Sequence, residues 1–176
     1  MARGSRPPRP LDAAALERLA LRYVERFQTT RGRLADYLTR KIRERGWEGP
    51  AAEPMALAAR MADLGYVDDR AWAEAKAAAM GRRGLGARRV AGALRLARVA
   101  EDDADGVAPA ISARAVDSAL ALARRRRIGP FADVPADRET REKHIAVLVR
   151  GGHDFALARR IASMAPGADT ADLDDR

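Results

Sequence analysis

Apolar residues recur three and four positions apart along most of the chain, the spacing that gathers them on one face of a helix. Leu16, Leu19, Tyr23 and Phe27 form a first stripe, Leu34, Leu38 and Ile42 a second, and Leu57, Met61 and Leu64 a third. Farther along come Trp72–Ala75–Ala79, Val90–Leu94–Ala97, Val116–Ala119–Ala123, Ile145–Leu148–Val149 and Phe155–Ala158–Ile161. Residues 102–110, which include Gly106 and Pro109, carry only a weak helical pattern. No stretch alternates polar and apolar positions as a half-buried strand does. The pattern predicts an all-α chain of about eight or nine short helices.

The arginine-rich segments resemble one another. "RGRLADYLTRKIRERGW", "GLGARRVAGALRLARV" and "RETREKHIAVLVRGGHD" each run from a basic start through apolar residues four apart. Aligning Ile42, Leu94 and Leu148 gives intervals of 52 and 54 residues. A period near ~50 residues is the mark of stacked helical units that bury their apolar faces on one another. The expected organisation is an elongated array of three tandem three-helix repeats, covering residues 11–65, 66–111 and 112–165. A disordered basic arm is expected before them in residues 1–10, where Arg3, Arg6 and Arg9 lie among Pro7, Pro8 and Pro10. An acidic flexible tail is expected over residues 166–176.

Composition narrows the function. Thirty-three Lys and Arg against 25 Asp and Glu leave a net charge of +8, which favours a polyanionic partner. Only Lys41, Lys76 and Lys143 are lysines, and arginine is the better fork for phosphate. The excess is concentrated in residues 1–50, with 12 basic and 6 acidic groups. The absence of Cys removes disulfides and zinc-thiolate sites and favours an intracellular setting, here the cytoplasm. No apolar run approaches the ~18 residues needed to span a bilayer.

Enzyme-like patterns fail on inspection. Glu101, Asp103, Asp105 and Gly106 open like a calcium loop, but the twelfth position is Ser112 where a bidentate Glu is required. His144 and His153 lack partners at metal-ligand spacing, and "GLGARR" lacks the ending of a phosphate loop. Neither a catalytic constellation, a metal site nor a cofactor is expected. The better candidates are basic. Arg82, Arg83, Arg88 and Arg89 flank the Gly84–Gly86 turn, and Arg95 follows on the next helix. Arg40 and Arg43 belong to a similar stripe near the start of the chain. All seven could fork phosphate oxygens or the carboxylates of a protein partner. The Arg124–Arg127 run has a simpler reading, as basic residues suited to a helix C-terminus.

The stretch "LGYVDDRAW" has a local explanation in helix capping. Gly65 suits a helix end that needs a left-handed residue, Asp68 suits an N-cap, and Asp69 in the first turn suits the helix dipole. Val67 and Trp72 then fall at the positions of a hydrophobic staple.

That stretch also carries a family resemblance. The order "GYVDDRAWAEA", then "GRRGLGARRVAGAL", within a basic helical chain resembles the RecX family of RecA regulators. Gly65, Tyr66, Val67, Asp68, Asp69 and Trp72 match its signature, and the resemblance runs from about Ala15 to Met164. It implies a non-enzymatic protein that docks in the groove of the RecA–single-stranded-DNA filament across several RecA protomers. It further implies inhibition of strand exchange, ATP hydrolysis and co-protease activity, and so a role in homologous recombination, DNA repair and the SOS response. A monomer that reaches single-stranded DNA directly or through the filament is expected. The competing reading is a basic all-α nucleic-acid-binding protein that acts without RecA.

Overall fold

The computed structural model describes residues 9–173. The elements are helical: α1 (Ala13–Val24), α2 (Arg31–Arg45), α3 (Pro54–Asp63), α4 (Asp69–Arg82), α5 (Ala87–Leu96), α6 (Glu101–Ser112), α7 (Ala115–Arg126), α8 (Arg138–Arg150) and α9 (Phe155–Ser163). Two short 3-10 turns, Gly129–Phe131 and Ala171–Leu173, complete them. The described residues contain no β-sheet; one isolated bridge joins Leu11 to Trp47. The all-α class expected from the periodicity is what the structure shows.

The described residues form two compact units, one of residues 9–72 with Ala97–Ala100, the other of Ala73–Leu96 with residues 101–173. In the first, Leu16, Ala20, Leu34, Leu38, Ala58 and Met61 bury one stripe from each of α1, α2 and α3, with Leu11 and Val67 closing the ends. Alanine supplies much of the contact, so the helices pack closely around little apolar volume. In the second unit Ala119, Leu122 and Ala123 of α7 meet Ile145 and Leu148 of α8 and Ala158 and Ile161 of α9.

Caps explain the boundaries. Asp12, Thr30, Asp137 and Asp154 each accept a backbone N–H from the first turn of the helix they precede. α3, α4 and α8 end alike: Gly65, Gly84 and Gly152 adopt positive φ, and the following N–H reaches back to Met61, Met80 and Leu148 respectively. Arg127 does the same work at the end of α7 at φ 52°, where an L side chain is less at ease.

Several details depart from the sequence pattern. Residues 101–112 form a continuous helix despite Gly106 and Pro109, started by Glu101, Asp102 and Asp103 and anchored by buried Val107. A helix there leaves no room for a calcium loop. Leu64 and Phe155, assigned to apolar stripes, are exposed, because each stands at a helix end rather than over the core. Residues 1–8 of the proposed arm and 174–176 of the proposed tail lie outside the described residues. The rest of that tail is packed: Leu173 is buried in the second core, Gly167 N–H donates to the Pro130 carbonyl (2.9 Å), and Arg160 donates to the Asp172 carbonyl (2.7 Å).

Candidate functional site: an arginine-lined cavity

The signature residues take different roles. Gly65 (φ 79°) ends α3, and exposed Tyr66 gives its N–H to the Met61 carbonyl at 2.9 Å. Val67 is buried in the first core. Asp68 caps α4 through the Ala71 N–H at 2.8 Å, as its position suggests. Asp69 does more than face the dipole of its own helix. Buried at 5% exposure, it accepts the Arg31 backbone N–H (2.8 Å) at the start of α2 and the Arg31 Nε–H (3.2 Å). The double Asp therefore caps one helix locally and ties down a second helix 38 residues away. Trp72 is half-buried, with the Arg33 guanidinium 4.9 Å from its ring centroid.

The basic candidates separate. Arg82, Arg83, Arg88, Arg89 and Arg95 are all exposed on the second unit, while Arg40 and Arg43 belong to the first. Arg40 lies 5.6 Å from the Tyr37 ring centroid and 3.7 Å from a Glu44 carboxylate oxygen, so its charge is partly answered. Only Arg83 and Arg89 converge on a common site. They join Arg125, Arg126 and Arg150 around a cavity of about 450 Å³ whose lining also includes Leu85, Leu122, Val147 and Gly151. No carboxylate lines it, and none of the five arginines forms an ion pair among the described residues. Arg82, Arg88 and Arg95 stay outside.

Backbone geometry builds this cavity. The end of α4 turns at Gly84 (φ 70°), where a Cβ would come within 2.7 Å of the Leu122 N. Gly86 donates its N–H to the Gly151 carbonyl (2.9 Å), and Arg88 N–H reaches the Gly152 carbonyl (3.2 Å). The first turn of α5 thus rests against the end of α8. Two guanidinium groups are held by carbonyls: Arg89 Nε donates to Arg150 (3.0 Å), and Arg125 donates to Arg83. His153, buried behind the turn, donates Nε2–H to the Gly84 carbonyl at 3.0 Å. Burial pushes its pKa below 6.5, against a smaller opposing effect of the Gly84 hydrogen bond.

Sequence reasoning missed Arg150 and gave Arg125 and Arg126 a helix-terminal role. The signal for Arg150 was the Gly151–Gly152 pair beside it, since two glycines there admit another backbone at close range. Charge counting pointed to residues 1–50, whereas the site lies where the overall count is nearly balanced.

Five arginines around one cavity with no carboxylate in its lining make a surface suited to an anion or an acidic partner, the layout of a binding protein. No helix among those residues is long and apolar enough to cross a membrane. The comparisons agree with that class. The regulatory protein RecX of Myxococcus xanthus is 34% identical over 173 residues, covering 93% of this chain and 92% of that protein. The regulatory protein RecX of Agrobacterium fabrum is 27% identical over 149 residues, covering 82% and 80%. The chain belongs to the RecX family. No family model matches it.

Proposed function

We propose that this protein is a non-enzymatic regulator that binds the RecA–single-stranded-DNA filament and inhibits RecA. The observation that carries the reading is similarity to a regulatory protein RecX along nearly the full length of both chains. Its consequence would be a curb on recombination, the SOS response and DNA repair in the cytoplasm, with a monomer as the acting species.

Arg83 and Arg89, with Arg125, Arg126 and Arg150, form the leading edge of the proposed contact, flanked by Arg82, Arg88 and Arg95. Crowded, unpaired guanidinium groups repel one another, and an acidic or phosphorylated surface would relieve that repulsion. Arg40 and Arg43 would make a secondary contact. The three-repeat organisation is retained as a proposal, with triplets α1–α3, α4–α6 and α7–α9. It is supported by a recurring junction. Thr30 Oγ1 donates to the Ala97 carbonyl before α2, as Gly86 and Arg88 donate to Gly151 and Gly152 at α5. Gly32 lies against Arg98 as Gly86 lies against Gly152. Within each unit, the start of one helix meets a short segment far along the chain, residues 97–98 in the first unit and residues 151–152 in the second.

The test is RecA ATPase on single-stranded DNA with increasing amounts of this protein. Inhibition is expected, and an unchanged ATPase rate would refute the reading. The second reading, nucleic-acid binding without RecA, is favoured by the absence of any carboxylate around the cavity. It predicts tight DNA binding with no effect on RecA beyond competition for bare strand.

A further inference from the structure

We infer that the cavity between Arg83, Arg89, Arg125, Arg126 and Arg150 is a binding site for a compact polyphosphate, the linked phosphoryl groups of a nucleoside triphosphate or of inorganic polyphosphate. Three observations carry this. First, five arginines line one cavity of about 450 Å³ without a carboxylate. A single acidic side chain entering it would offset only a fraction of that charge. A strand of nucleic acid brings one charge per ~3.4 Å of its axis with a sugar between neighbours. Directly linked phosphates concentrate their charge in the space of the cavity itself.

Second, the site is partly preorganised. Arg89 and Arg125 each use one N–H on a backbone carbonyl, which fixes the guanidinium plane and leaves its other donors for an anion. Third, three apolar side chains share the lining. Leu85, Leu122 and Val147 offer a surface to a base or ribose, which inorganic polyphosphate would leave uncovered. The assignment stands on the cavity, not on the proposed contact with RecA. A bound polyphosphate would nevertheless occupy the arginines that contact is proposed to use, and so would weaken it.

The experiment is calorimetric titration of the full chain, without RecA, at fixed ionic strength. The probes are tripolyphosphate, ATP, AMP, orthophosphate and a short oligothymidylate. Tripolyphosphate and ATP should bind one per chain, AMP and orthophosphate about tenfold or more weaker. ATP binding more tightly than tripolyphosphate would identify a nucleotide site, and the reverse order an inorganic polyphosphate site. The double variant R126Q/R150Q should lose about tenfold in affinity, or more. It should stay folded, because the contact to Arg89 uses the Arg150 carbonyl, which the substitution keeps. R18Q/R22Q on α1 removes the same charge elsewhere and should bind as the parent does. Equal losses in both variants, or several polyphosphates per chain, would overturn the inference as general charge attraction. Oligothymidylate binding the cavity arginines more tightly than tripolyphosphate would overturn it in favour of a strand. Since no RecA is present, a failure here leaves the proposed regulation standing, and the converse also holds.

Discussion

At the scale of single residues, Asp68 and Asp69 show how neighbours of the same type diverge. Asp68 makes one exposed cap bond, so Asp68→Ala should cost about 1 kcal/mol. Asp69 is buried and serves both a backbone N–H and a guanidinium, so Asp69→Ala should cost about 2–3 kcal/mol. Paired urea denaturation curves would settle the order, and equal costs would contradict the tie to α2. His153 sets a pH dependence. Its folded pKa lies below its unfolded value of 6.5, so at pH below 6.5 the unfolded chain takes up the proton first. Its contribution to stability is therefore complete above pH 6.5 and is lost as pH falls through the folded pKa, with no further change below it. His153→Ala should lower stability at pH 7.5 by about 2–3 kcal/mol, by leaving the Gly84 carbonyl bare and opening a gap. It should also flatten the difference between pH 7.5 and 5, read by urea denaturation at each pH. A variant as pH-dependent as the parent would remove His153 from the explanation. The local cap at Asp68 was legible in the sequence because its partner is three residues away. The reach of Asp69 to Arg31 and of His153 to Gly84 was not, because separations of 38 and 69 residues leave no periodic trace.

Helices were the most legible level, since α1, α2, α3 and α8 each bury residues of the stripe that their spacing predicts, although Phe27 and Leu64 fall beyond their helix ends and are exposed. α6 was the weakest, because its single buried anchor, Val107, gives no period, and because propensity alone counts Gly106 and Pro109 against it. Glycine positions test the elements most sharply. Within α5, Gly92 has open space around its missing side chain, so Gly92→Ala should stabilise the protein by about 0.5–1 kcal/mol. Gly86, just before that helix, faces the Gly152 carbonyl and the His153 N, and neither can move aside as a flexible side chain would. Gly86→Ala should destabilise by about 1–3 kcal/mol, or more if the α5–α8 junction opens. Thermal melts of the two variants should shift in opposite directions. The close approach at Gly86 was hidden in the sequence, where "GLG" reads only as a turn.

For the whole molecule, the arginine cavity yields two measurable consequences. If about five arginines meet phosphates of single-stranded DNA, log K against log salt should fall with a slope near −3.5. Affinity would then drop roughly a hundredfold between 50 and 200 mM salt, and a flat response would show that the arginines meet something else. Charge reversal at Arg82, Arg83, Arg88 and Arg126 should leave the melting temperature nearly unchanged, because these side chains are exposed. The same variant should lose most RecA inhibition, read by ATPase at a temperature where it is folded. Full inhibition would detach the cavity from regulation. Arg89 is left out of that variant because its Nε supports the Arg150 carbonyl. The candidate site was half legible: the turn at Gly84–Gly86 announced Arg83 and Arg89, but their companions arrive from α7 and α8 through tertiary contact.

The first unit contains a delay in its own assembly. Thr30 and Gly32 at the start of α2 meet Ala97 and Arg98, which are encoded long after the rest of that unit. On a ribosome extending the chain at about 5–20 residues per second, the roughly 28 residues from Trp72 to Ala100 take about 1–6 s. During that interval α1, α2 and α3 can pair, but the head of α2 waits for its seat. A nascent chain stalled with residues up to about 90 outside the exit tunnel should therefore be cut by protease around Thr29–Arg31, and one stalled with residues 97–100 also outside it should resist.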